Sequence, residues 1–252
     1  MSLDDYVKTK DGYNLKFRFH DNGKPAIVLV HGLCMDQDSW YHQFNFLKHH
    51  YSILSYDLRG HGKSDKPNKT KCYTLDKFVE DVDCVADYIG LDRFVLMGFS
   101  LGGSIALEYA QKIPYKPRKL VTINAPYSLK SIKKSFFGKY AIARNVPKMI
   151  MGIGLDDKPI WEYQGKLDTH RKTFVQAELK VIDKIMTAMI IQRPTFKKLD
   201  IDHLLIYSSN DEIVKAKAPE GSNHTIIEGG HHYVIAQKPN EVNYVIRKFI
   251  DS

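Results

Sequence analysis

Apolar and polar positions along the chain change period several times, and each change marks an element. Positions 6–9 and 14–19 alternate about Lys10-Asp11-Gly12-Tyr13, a pattern that predicts a β-hairpin. Ala26-Ile27-Val28-Leu29-Val30 is a continuous apolar run, as expected of a strand buried on both faces of a parallel sheet. An amphipathic helix is predicted over 39–47 and a strand over 51–56. Thr74 is a helix N-cap; Leu75, Phe78, Val79, Val82, Val85, Ala86 and Ile89 then recur at helical spacing until Gly90 stops them. Arg93-Phe94-Val95-Leu96-Met97 has β character. It runs through Gly98-Phe99-Ser100-Leu101-Gly102-Gly103 into a small-residue helix over 104–110. Another buried strand is expected at 119–124.

The rhythm stops at Pro126. Positions 127–200 are mainly helical in pattern, most clearly over 170–192, and are broken by Pro147, Pro159 and Pro194 and by several glycines. Strands resume at His203-Leu204-Leu205-Ile206-Tyr207 and His224-Thr225-Ile226-Ile227. A closing helix carries Val242, Val245, Ile246, Phe249 and Ile250 on one face. Alternating strands and helices argue for an α/β architecture, a mostly parallel sheet covered on both faces. The organisation expected is a core of 1–126 and 201–252, interrupted by a helical lid at 127–200.

Charge sharpens that division. The chain has 252 residues and a formal net charge of +8. The segment 127–200 holds 15 Lys/Arg against 7 Asp/Glu, so it carries the whole excess and the remainder is neutral. The basic excess is no argument for nucleic acid, because aromatic-basic interleaving and a nucleic-acid-binding motif are both absent from the sequence. No apolar run is long enough for a transmembrane segment, and the N-terminus lacks the basic start and apolar core of a signal peptide. Three widely spaced cysteines suggest neither a disulfide framework nor a zinc site, so a cytoplasmic setting is expected. The 11 histidines are scattered, and no metal site is expected.

The candidate chemistry begins at Ser100. Strand, tight turn and helix, with glycines two residues to either side of a serine, form a Gly-x-Ser-x-Gly nucleophile elbow. Such a turn puts the serine in strained torsions and presents its hydroxyl at the carboxyl edge of the sheet. Three further motifs stand in order with it: His31-Gly32, Asp57-Leu58-Arg59-Gly60-His61-Gly62-Lys63-Ser64, and a late acid followed by histidine. On these motifs the sequence resembles the α/β-hydrolase superfamily, in its serine esterase, haloperoxidase-like and C–C hydrolase branch, over nearly its whole length.

The resemblance implies the order nucleophile, acid, histidine. The acid position falls on Asp211 in Ser208-Ser209-Asn210-Asp211-Glu212-Ile213-Val214, with Glu212 and Asp202 as the alternatives, read as solvated surface carboxylates. Gly229-Gly230-His231-His232 offers two histidines. The Gly-His pairing selects His231 and leaves His232 as a loop or pocket residue. Catalytic Ser100, Asp211 and His231 would work as a relay in which the imidazole takes the hydroxyl proton and the carboxylate holds the tautomer. The backbone N–H of Leu101 would serve the oxyanion, and the resemblance adds that of Leu33. It also makes His31 a brace of its loop, and Arg59 and His61 scaffolding. Relatives usually place a full helix between Val214 and His224, where this chain is short and broken.

The function implied is a serine hydrolase without a cofactor, acting on a small-molecule ester or thioester, with anionic substrates among the candidates. Two alternatives remain open in the sequence. One is a receptor that hydrolyses its ligand slowly, since Asp36-Gln37-Asp38-Ser39-Trp40 resembles a stretch of that branch. The other is an acyltransferase or perhydrolase with the same triad. An aspartate at the elbow would point to a dehalogenase or epoxide hydrolase, but the residue is Ser100.

Overall fold

The computed structural model describes residues 2–132, 179–192 and 199–252. An eight-stranded sheet forms its centre, in the order β1-β2-β4-β3-β5-β6-β7-β8. β1 (Ser2–Lys8) and β2 (Asn14–His20) form the expected hairpin, and β2 pairs antiparallel with β4 (Ser52–Tyr56). From β4 onward every pairing is parallel, through β3 (Ala26–Val30), β5 (Phe94–Phe99), β6 (Pro117–Ile123), β7 (His203–Ser208) and β8 (His224–Ile227). The continuous apolar runs of β3 and β5 are fully buried, as their sequences require when both faces are covered.

The helices follow from side-chain periodicity and caps. The first, expected over 39–47, opens as a 3-10 turn at Gln37–Trp40 and becomes α-helical only at α1 (Tyr41–Leu47). The Asp36 side chain explains that start, because it accepts from the Asp38 amide. α2 (Leu75–Ile89) runs between the Thr74 cap, which accepts from the Lys77 amide, and Gly90 in the left-handed conformation at φ 76°. α3 (Leu101–Lys112) follows the elbow. α4 (Leu179–Gln192) packs on the turn Thr70–Tyr73 and on α2, with Val181, Ile182, Ile185 and Met186 buried. A single turn at Val234–Gln237 leads into the closing helix α5 (Pro239–Ile250). Residues 215–223 form no helix, in keeping with their short, broken sequence.

Most of the expected lid, 133–178 and 193–198, lies outside the described residues. Among the described residues no helix is long and apolar enough to cross a membrane.

Sheet order places the site. After β3 the chain moves to β4 on one side and returns to β5 on the other, so the loops leaving β3 and β5 diverge at a topological switch point. Open α/β sheets bind ligands in the crevice at such a point. The loop carrying Gly32 and Leu33 and the turn carrying Ser100 are those two loops.

Candidate active site

Ser100 takes φ 52° and ψ −116°, a conformation that non-glycine residues rarely adopt. Holding it costs on the order of 1–3 kcal/mol, which surrounding contacts must offset. The Ser100 amide donates to the carbonyl of Ile123 at 2.9 Å, tying the elbow to β6. The glycines are required by close approach rather than by torsion. A Cβ at Gly98 would collide with the backbone of Gly102 and Gly103, and one at Gly102 would collide with the carbonyls of Val30 and His31. Helix α3 is thereby drawn tightly against the exit of β3. Leu101 heads α3, where a first-turn amide has no acceptor in its own helix.

The His31 imidazole braces the loop beside it. The Leu58 amide donates to His31 Nε2 at 2.9 Å, which leaves the proton on Nδ1 to donate to the Gly32 carbonyl at 2.8 Å. Complete burial, with His61 alongside, holds the His31 pKa well below its ordinary value, so the ring stays neutral. The loop after β4 is built around Asp57, whose carboxylate accepts from the amides of Gln37 and Lys63, both at 2.8 Å. Arg59 is buried beneath it, bidentate to Asp81 with two contacts of 2.6 Å, and bonded also to Asp11 and to the Cys72 carbonyl.

The acid and the histidine come from the far strands. Asp211 follows β7 and is 2% exposed. Its Oδ1 accepts from the amides of Ile213 at 2.7 Å and Val214 at 2.8 Å, which orients the carboxylate. Its Oδ2 lies 2.9 Å from His232 Nδ1, and His232 Nε2 lies 2.9 Å from Ser100 Oγ. The ring of His232 packs on Phe99 with centroids 5.3 Å apart.

The bridging histidine is therefore His232, and the expectation of His231 is corrected. Consecutive side chains leave the backbone in different directions, so only one of the pair can face Ser100. His231 donates its amide to Gln237 Oε1 at 2.7 Å, and its ring faces Glu212, with Nδ1 3.7 Å from Oε2. The Gly-His pairing misled because two glycines precede the histidines. Gly229 takes the left-handed conformation at φ 65°, while Gly230 fits closely against Ser208 and Val234. Glu212 is also more than a solvated carboxylate, since its Oε2 accepts from the His232 amide at 3.3 Å.

Burial by itself lowers the His232 pKa, but the Asp211 carboxylate, its hydrogen bond and Glu212 together more than offset this. The imidazole ends above its ordinary value. Among the described residues no group of histidine, cysteine and carboxylate side chains is placed to hold a metal ion.

The family of the alpha/beta hydrolase fold matches residues 25–239. The chain belongs to that family. It is 37% identical over 127 residues to epoxide hydrolase 4 of Mus musculus, a stretch covering 48% of this chain and 34% of that protein. The matched stretch thus spans about a third of the length of that relative. Among solved structures, the enol-lactonase of Burkholderia xenovorans superposes with a TM-score of 0.82 at 20% identity, covering 98% of this chain and 100% of the other. An esterase from Thermogutta terrifontis superposes with a TM-score of 0.78 at 20% identity, covering 99% and 98%. At such identities the two structures attest the fold.

Proposed function

We propose that this hydrolase cleaves a carboxylic ester or thioester through an acyl-enzyme on Ser100, with His232 as base and Asp211 as its orienting acid. The observation that carries this reading is the single imidazole within 2.9 Å of both the serine hydroxyl and the buried carboxylate. A serine hydroxyl needs such a base at neutral pH. On attack the Ser100 proton passes to His232 Nε2, while Nδ1–H remains donated to Asp211, which stabilises the imidazolium. The amides of Leu101 and Leu33, on the two loops that flank the switch point, serve as the oxyanion donors. Collapse of the tetrahedral intermediate expels the alcohol or thiol with the proton from His232. Water then repeats the sequence on the acyl-enzyme and releases the acid.

The mouse relative is named an epoxide hydrolase, but Ser100 argues against that chemistry for this chain. Ring opening by a serine oxygen would leave an ether, which the triad has no means of cleaving, whereas a carboxylate nucleophile would leave a hydrolysable ester. No cofactor enters the mechanism.

The test is a panel of p-nitrophenyl esters and acyl-CoA thioesters of graded chain length, run on wild type and Ser100→Ala. The substitution is expected to lower kcat by roughly 10³-fold or more in a folded protein. A fluorophosphonate should label wild type once, at Ser100. Labelling elsewhere, with activity kept in the variant, would end the reading.

A further inference from the structure

Asn124 directly follows β6, between the elbow and the acid loop, and its placement has two costs. It is fully buried with a left-handed backbone at φ 46°. Its Oδ1 has no hydrogen-bond partner among the described residues, a loss worth about 1–3 kcal/mol for a buried acceptor. An apolar residue would avoid the second cost, and glycine would avoid both. Such a combination is expected where a side chain does something other than stabilise the fold.

What the side chain does is donate. Nδ2 lies 2.8 Å from the His232 carbonyl, 3.1 Å from the His231 carbonyl and 2.9 Å from Ser208 Oγ. The Asn124 amide donates to Ile206 of β7 at 2.8 Å, so the donor is fixed to the sheet. The other side of the same two residues is held as well, by Gln237 Oε1 on the His231 amide and Glu212 Oε2 on the His232 amide. All four backbone polar groups of the histidine pair are therefore met by side chains, and Asn124 alone supplies both donors. With its carbonyls left unheld, the His231–His232 segment could rotate and carry the imidazole away from Ser100.

We propose that Asn124 is a positioning residue, which fixes the backbone of the histidine pair so that His232 stands in line between Ser100 and Asp211. The proposal rests on the serine-triad reading above. Misplacement of a catalytic group by about 1 Å can cost about 10²-fold in rate. Substrate binding, which does not depend on the angle of the imidazole, should change little.

The experiment uses Asn124→Gly, which keeps the left-handed backbone without strain and removes only the amide. Sites are titrated with a fluorophosphonate, and kcat is expressed per reactive site. The expected result is a fall in kcat of roughly 10- to 100-fold, with KM within about two-fold of wild type and a parallel fall in the rate of fluorophosphonate labelling. A purely structural role would lower the thermal midpoint and the number of sites while leaving kcat per site unchanged, and that outcome would overturn the proposal. Ser100→Ala is assayed alongside. If it retains full turnover, the triad reading fails by itself, whereas an inactive Ser100→Ala with an unimpaired Asn124→Gly removes only the positioning role. Should Asn124→Gly not fold, Asn124→Asp replaces it. It keeps the shape and tolerates the same backbone, but sets an acceptor against two carbonyls, so full activity per site in that variant would also overturn the proposal.

Discussion

At the scale of single residues, the two adjacent histidines give the sharpest test. His232→Ala is expected to reduce kcat by several orders of magnitude, because the serine loses its base. His231→Ala should leave most activity, since that ring faces Glu212 rather than Ser100. Steady-state kinetics on one ester decide it, and an inactive His231→Ala beside an active His232→Ala would reverse the assignment. The pH dependence follows from the raised His232 pKa. In the proposed mechanism the neutral imidazole is the base, so kcat/KM should fall as pH drops, with a midpoint above the ordinary histidine value of about 6.5. Glu212→Gln removes one of the charges that raise it, and should move the acid limb to lower pH. For stability the sign is opposite. A proton held more tightly in the folded state stabilises it, and this contribution is complete below about pH 6.5 and lost as pH rises through the folded value.

At the scale of elements, two packings set where the loops of the candidate site lie. The first is the approach of α3 to β3 and β5. Gly98→Ala or Gly102→Ala would drive a methyl into backbone, which cannot yield as a flexible side chain can. Both variants are expected to lose activity together with folded yield, read by circular dichroism and fluorophosphonate labelling. The second is the Arg59 cluster, which pins the loop after β4 to α2. Burial raises Asp81 to about 6 despite its pairing with Arg59, whereas at Asp11 burial is outweighed by the Arg59 guanidinium, the Thr9 hydroxyl and Lys77 together, which hold the carboxyl down at about 2. Removing Arg59 alone leaves Asp81 buried and uncompensated, so Arg59→Leu should cost about 3–5 kcal/mol in urea unfolding. Asp81→Leu added to it should recover much of that loss. If the double variant is no more stable than the single, Arg59 contributes more than charge compensation.

At the scale of the whole molecule, the excess charge is concentrated in 127–200, most of which lies outside the described residues. If that segment borders the site, its field should draw anionic substrates and weaken as salt shortens the Debye length from about 10 Å at 0.1 M to about 3 Å at 1 M. The expected result is that kcat/KM for an acyl-CoA thioester falls with added salt, while that for a neutral ester of equal acyl length does not. Equal responses would mark the charge as ordinary surface. How much of the molecule was legible beforehand depended on the range of the interaction. Strands β3, β5 and β7, the span of α2, the elbow at Ser100 and the choice of Asp211 over Glu212 could all be read along the chain. Local patterning, caps and glycines act over a few residues, and the order of the motifs along the chain was enough to place the elbow and the carboxylate. The choice between His231 and His232, the contact of Glu212 with the His232 amide, and the grip of Asn124 on both histidine carbonyls could not be read in this way. Each depends on a side chain 20 or more residues away, or on a backbone rotation that two successive glycines leave undetermined. Sequence by itself determined the family and singled out the Ser100 turn and the Asp211 carboxylate that meet one imidazole, because those are written in local geometry. Tertiary structure alone decided which imidazole meets them, because consecutive side chains point in different directions and only the packing of β6, β7 and the loop after β8 selects one.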